Sequence, residues 1–193
     1  MRSVVAIGLA LLLGACGQQA ATPEPGEPAT SASAEPAELG VTESSIDCAV
    51  ENAIYSEPQA GWELRFRPAQ PWESVGMTGN IMELVRKDGT VLWGQISSNM
   101  GTSRDVGQLY HGCNRPGADD EDLTEEQYAA CRQWEGVVYS LNTGEPGYMT
   151  AEGGKAPERI LMTDIGRKLR YSELVSGPGG EPWDVFDFKS CGK

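Results

Sequence analysis

The sequence predicts a mainly β domain, an antiparallel sandwich or small barrel with one short helix, preceded by a disordered tether. Three observations predict it. Short apolar runs recur at close spacing, several alternating with polar residues as half-buried strands do. Turns rich in Gly and Pro separate them, at 143–147, 153–157 and 177–182. One segment alone, around Thr124, carries the start signals of a helix.

The elements follow in order. Residues 62–67 alternate apolar and polar side chains and stop at Pro68, and 68–71 read as a loop. Apolar runs at 80–87 and 90–97 flank Asp88-Gly89, the dipeptide that favours the positive φ of a type I′ hairpin turn. A two-residue turn there would set Leu84 opposite Trp93 and Val85 opposite Leu92. Both faces of this hairpin are apolar, which predicts a central position covered on both sides. Residues 98–114 read as irregular, with a short apolar patch at 106–110. Thr124 and Gln127 form a capping box, Leu123 and Tyr128 suit a hydrophobic staple, and a helix over 125–133 is expected. The acidic run from Asp119 to Asp122 suits the helix's positive end. Tyr128, Cys131 and Trp134 fall three apart and would share the inward face. Further strands are expected at 136–141, 159–162, 168–175 and 183–188. The sequence contains no internal repeat.

Three regions follow: 1–15, 16–45 and 46–193. Residues 46–193 are numerous enough to bury about 68–70% of their unfolded surface. Residues 17–45 are rich in Ala, Pro, Glu, Ser and Thr and offer little to bury, so they are expected to form a disordered tether. Such a flexible segment reaches roughly 30 Å. Residues 1–15 combine Arg2, an apolar block over 4–13 and the small pair Gly14-Ala15, the layout of a secretory signal peptide. The block is too short to cross a hydrocarbon core of about 30 Å as a helix.

Leu13-Gly14-Ala15-Cys16 resembles the lipobox of bacterial lipoproteins. The resemblance implies cleavage after Ala15, diacylation of the Cys16 sulfur and acylation of the new amino terminus, typically with palmitate. A single acyl chain anchors only marginally, whereas two or three hold firmly at about 0.8 kcal/mol per buried methylene. Gly17 stands where an acidic residue would imply retention at the inner membrane, so the resemblance implies an outer-membrane lipoprotein, facing the periplasm or the surface. The globular part resembles small envelope lipoproteins of proteobacteria in Leu92-Trp93-Gly94-Gln95, Gly136-Val137-Val138-Tyr139 and Pro182-Trp183-Asp184-Val185-Phe186. No activity attaches to that likeness.

A formal charge of −13 repels nucleic acid and anionic membrane surfaces, so neither is expected as a direct partner. Membrane contact is expected through the lipid on Cys16. The remaining cysteines, Cys48, Cys113, Cys131 and Cys191, read as two disulfides in an exported protein. Cys113 with Cys131 would close a local loop around the helix, and Cys48 with Cys191 would staple the ends of the domain. The loop-entropy model gives about 3 and about 5 kcal/mol for these two bonds. Spacing leaves open the pairing of Cys48 with Cys113 and Cys131 with Cys191.

Candidate chemistry is sparse. The run from Asp119 to Asp122 lacks the ligand spacing and glycine of a calcium loop. His111, the single histidine, with Cys113 and Cys131 lacks a further zinc ligand. Ser190 and Lys193 spell S-x-x-K but stand at the chain end rather than on a helix. Of the five tryptophans, Trp62, Trp93, Trp134 and Trp183 lie in or beside expected elements and read as core, while Trp72 is the exposed candidate for stacking on a sugar. No catalytic residue, cofactor or metal is expected. The sequence favours a non-catalytic binding or envelope-maintenance module, an inhibitor-like role included, with an envelope protein or glycan as ligand. A periplasmic hydrolase with an unrecognised site is the alternative.

Overall fold

The alternation seen in the sequence becomes a wall with one apolar side. In this computed structural model, residues 44–74, 77–98, 104–118, 120–143, 145–175 and 179–192 are described. The expected signal segment, Cys16 and the expected tether up to residue 43 lie outside the described residues. The strands are β1 (Ala53–Ser56), β2 (Glu63–Arg67), β3 (Thr78–Val85), β4 (Val91–Ser97), β5 (Val106–Tyr110), β6 (Arg132–Asn142), β7 (Glu145–Gly147), β8 (Arg159–Met162) and β9 (Val185–Cys191), with helices α1 (Glu125–Cys131) and α2 (Ile165–Arg170). Every strand pairing is antiparallel. The order β1-β2-β3-β4-β5-β6-β8-β9 returns to β1, so eight strands close into a barrel. The short β7 pairs with β6 beyond the end of β5. Of the two architectures the sequence allowed, the barrel is the one formed. Closure removes the sheet edges that a sandwich would leave open.

Alternate residues point inward and fill the lumen. Leu64 and Phe66, Met82 and Leu84, Leu92 and Ile96, Leu109, Val138, Ile160 and Met162, and Phe186 are all buried in one cluster. Eight strands leave an interior that side chains can fill. Trp134 is the largest occupant beside Trp62. A Cβ on Gly107 would stand 2.7 Å from the Trp134 ring, and one on Gly136 would stand equally close. These glycines therefore leave the space the indole occupies. Its Nε1–H donates to the Thr163 carbonyl at 3.0 Å.

The first and last strands of the described domain meet at one rim. Cys48 and Cys191 are bonded, with Cα atoms 5.8 Å apart, beside the pairing of β1 with β9. Cys113 and Cys131 are bonded likewise, at 5.9 Å. Structured chain already includes Ser44 and Ser45, which composition grouped with the tether. Ser44 is buried and its hydroxyl donates to the Ala156 carbonyl at 2.6 Å, and Ser45 bonds Glu158.

Several expected elements differ. The hairpin between β3 and β4 pairs Leu84 with Leu92 and Glu83 with Trp93, one residue out of the expected register. The loop has three residues: Gly89 N–H donates to Arg86 O, Arg86 N–H to Thr90 O, and Gly89 takes φ 90°. A type I turn followed by a left-handed glycine is the other common hairpin solution. The slip turns Trp93 outward and leaves β4 buried on one face only. Helix α1 keeps its capping box but stops at Cys131 instead of running on to Gln133. From Arg132 the chain pairs with β5, and tertiary pairing overrides local helix preference. The apolar patch at 106–110 is a full central strand, and the turn at 143–147 includes β7.

The expected strand over 168–175 is the larger correction. Helix α2 occupies its start, buries Ile165 and Leu169 one turn apart, and leaves Tyr171 80% exposed. A distant side chain caps α2: the Asp184 carboxylate accepts the N–H groups of Asp164 at 3.1 Å and Gly166 at 2.9 Å. No local signal announces such a cap. The result is two helices instead of one.

Gly107→Ala is expected to lower stability by about 1–3 kcal/mol through overpacking against Trp134, whereas Gly79→Ala, whose Cβ would meet only the Ile96 carbonyl at 3.5 Å, is expected to cost nothing. Urea unfolding of the two variants checks this. Equal midpoints would remove the seat assigned to Trp134.

Candidate functional site

The lumen is filled by side chains, and a recess opens on the outer wall. The slipped hairpin presents Trp93 and Gln95 there from β4, β5 adds Gln108 and Tyr110, and β6 adds Arg132. Two excursions wall this surface into a groove of about 530 Å³. One is the proline loop after β2, bearing Trp72 and Glu73. The other is the long connection from β5 to β6, which includes α1. The Cys113–Cys131 bond and the His111 N–H donating to the Cys131 carbonyl at 2.9 Å close that connection at its base. Thr124 and Gln127 hold α1 by their reciprocal cap.

The two walls are tied together by a buried ionic junction. Glu73 accepts from Arg67 at 2.6 and 2.7 Å and from Arg115 at 2.5 Å, and its side chain is only 6% exposed. Arg115 also donates to the Gly94 carbonyl in mid-strand and lies 4.9 Å over the Trp93 ring. Burial would raise the Glu73 pKa, but hydrogen bonds from Arg67, the Gln70 N–H and Arg115 outweigh it and hold the carboxyl at about 2. Ionised throughout the neutral range, Glu73 cannot serve as a proton donor there.

The aromatic floor is equally committed. Tyr110 stacks on Trp93 with centroids 4.4 Å apart, and Tyr128 packs against Tyr110 at 5.3 Å. Trp93 Nε1–H donates to Cys113 O, Tyr110 Oη–H to Gln108, and Tyr128 Oη–H to Asp122. Burial and the bond to Asp122 both raise the Tyr128 pKa. The floor therefore keeps one arrangement before any ligand arrives, the property that lowers the ordering cost of binding.

The residues singled out in the sequence distribute unevenly. Cys113 and Cys131 frame the groove, while Cys48 and Cys191 lie at the rim where the first and last strands meet. Trp72 stands 43% exposed on the groove's lip, as its loop position suggested. Trp62 and Trp134 are core. Trp183 is not: it is 54% exposed in a second recess beside α2, where Arg170 is paired with Glu181. Trp93 is half-buried in the groove floor. Of the acidic run, Asp120 and Asp122 line the groove. His111 contacts the Val91 carbonyl through Nδ1 at 3.2 Å, and Cys113 and Cys131 are bonded to each other, so neither sulfur is a thiolate able to ligate zinc. Ser190 lies on β9 opposite Ile54. Sequence reasoning missed Arg67, Glu73 and Arg115. Glu73 and Arg115 are 42 residues apart, and no spacing rule joins them.

Compared with protein-family models, with curated proteins and with solved structures, the chain matches none.

The ionic junction has a sign that acid unfolding can read. Glu73 is shifted down from 4.5 to about 2, so its stabilisation is complete above pH 4.5 and is lost as pH falls through 2. Glu73→Gln is expected to cost about 2–3 kcal/mol at neutral pH and to flatten the stability profile between these values. Denaturant titrations across pH 2–7 check it; parallel profiles for the two proteins would contradict the assignment.

Proposed function

We propose that this protein is a lipid-anchored binding module of the bacterial cell envelope, non-catalytic, held by acyl chains on Cys16 at the outer membrane, with its ligand site in the outer-wall groove. The observation that carries the binding reading is the groove itself. The aromatic part of its floor is bonded and its walls are joined through Glu73, while the side chains of Trp72 and Gln95 make no hydrogen bond among the described residues. Such a site is built to hold rather than to transform. The alternative, a periplasmic hydrolase, draws less support. Glu73 stays ionised, and His111 contacts a backbone carbonyl outside the groove lining. The anchor reading rests on the lipobox, and the envelope location follows from it.

Two measurements on the full-length protein expressed in a bacterium test the proposal. Intact mass of the membrane-bound form is expected to show a chain starting at Cys16 and carrying acyl mass, with Cys16→Ser accumulating as uncut precursor. A photo-crosslinking amino acid at Gln95 is expected to give adducts with an envelope component, and one at Asp187 on the opposite wall none. An unmodified start elsewhere would overturn the anchor. Adducts at Asp187 without any at Gln95 would overturn the groove.

A further inference from the structure

We propose that the groove receives a lysine- or arginine-bearing segment of a basic protein, an inference that rests on the groove being the binding site. The groove is lined by four carboxylates, Glu73, Asp120, Asp122 and Glu125, against two guanidiniums, Arg115 and Arg132. Both guanidiniums are taken, Arg115 by Glu73 and Arg132 by Glu135. Glu73 is taken in turn. The acids near α1 have no cationic partner among the described residues. Glu125 has no hydrogen-bond partner among the described residues, and Asp120 spends one oxygen on the Gly117 N–H at 2.7 Å and keeps the other. Asp122 accepts from Tyr128 and from the Leu123 N–H through Oδ1 alone. What the groove offers is therefore carboxylate oxygens without a cationic partner along one wall and the exposed indole of Trp72 on the other. An ammonium or guanidinium suits both, by ion pairing and by lying over the ring. A formal charge of −13 over the whole chain adds attraction at long range for a basic partner and none for an acidic one.

A neutral glycan fits less well. Stacking sugars needs free aromatic faces, and Tyr110 and Arg115 cover Trp93 while Tyr110 itself is buried. Trp72 alone remains, a single platform. Gln108, the kind of amide that reads sugar hydroxyls, is bonded to Glu135 and Tyr110.

The test titrates the full-length protein with a fluorescent lysine decapeptide and, separately, with chitohexaose. Glu125→Gln combined with Asp120→Asn removes two groove charges and keeps the side-chain shapes. Glu145→Gln combined with Glu152→Gln removes two exposed charges outside the groove lining and controls for overall charge. The groove pair is expected to weaken decapeptide binding about fivefold at low salt, the outside pair to leave it unchanged, and Trp72→Ala to weaken it too. Added salt is expected to erase the difference. Equal losses from both charge pairs would reduce the effect to bulk attraction and overturn the proposal. Chitohexaose binding that Trp72→Ala abolishes, with no groove-dependent peptide binding, would also overturn it while leaving the groove as the binding site. Crosslinks absent at Gln95 would instead remove the site itself.

Discussion

The pairing of β1 with β9 is the constraint on which the rest of the structure depends. It joins the first strand to the last, turns a meander into a barrel and leaves no long edge unpaired. The Cys48–Cys191 bond sits beside it and limits how far the chain ends can separate in the unfolded state. Ser44, Ala49 and Cys48 add contacts to the segment around Ala156, so the closing seam is also where the chain enters the fold. A chain with about 20 apolar side chains gathered in one cluster then has a single interior to fill. Trp134 needs the two glycine seats because that interior is narrow.

Closure decides where function can be. A filled lumen leaves no room for a ligand, so the binding site we propose lies on the wall. There the long excursion from β5 to β6 folds back over the strands it connects. Its disulfide sets the width at the base, and Arg115 reaches across to the loop after β2. A single buried carboxylate, Glu73, gathers two arginines from different parts of the chain. Such a junction is costly to desolvate and costlier to break, which makes it a device for fixing geometry rather than for adding stability. It sets the groove's shape and holds Arg115 in place, while Arg132 is paired with Glu135.

Much of the fold was legible because it rests on local periodicity. Strands β2, β3, β4 and β8, the capping box of α1 and the pairing of cysteines that the structure shows all follow from short-range pattern or from chain-end logic. The failures have one cause. The one-residue slip in the β3–β4 hairpin is decided by a turn that Asp88-Gly89 does not fix uniquely, and it alone turns Trp93 toward the groove. Helix α2 depends on Asp184, 20 residues from the Asp164 amide it caps. The groove depends on Arg67, Glu73 and Arg115 meeting across three segments. Trp72 was visible in sequence since a tryptophan in a proline loop has nowhere to be buried. Its partners in the site were not, because long-range ionic contacts leave no periodic trace.

The five tryptophans provide the most direct measurement of the central claim, that recognition occurs on the outer wall and not in the barrel. Indole N–H resonances of the ¹⁵N-labelled protein report Trp72 and Trp93 from the groove, Trp62 and Trp134 from the core, and Trp183 from the recess beside α2. On addition of the lysine decapeptide, the signals of Trp72 and Trp93 are expected to move together while those of Trp62 and Trp134 stay fixed. Movement of the two core signals with Trp72 and Trp93 unchanged would place the ligand inside the barrel and contradict the account.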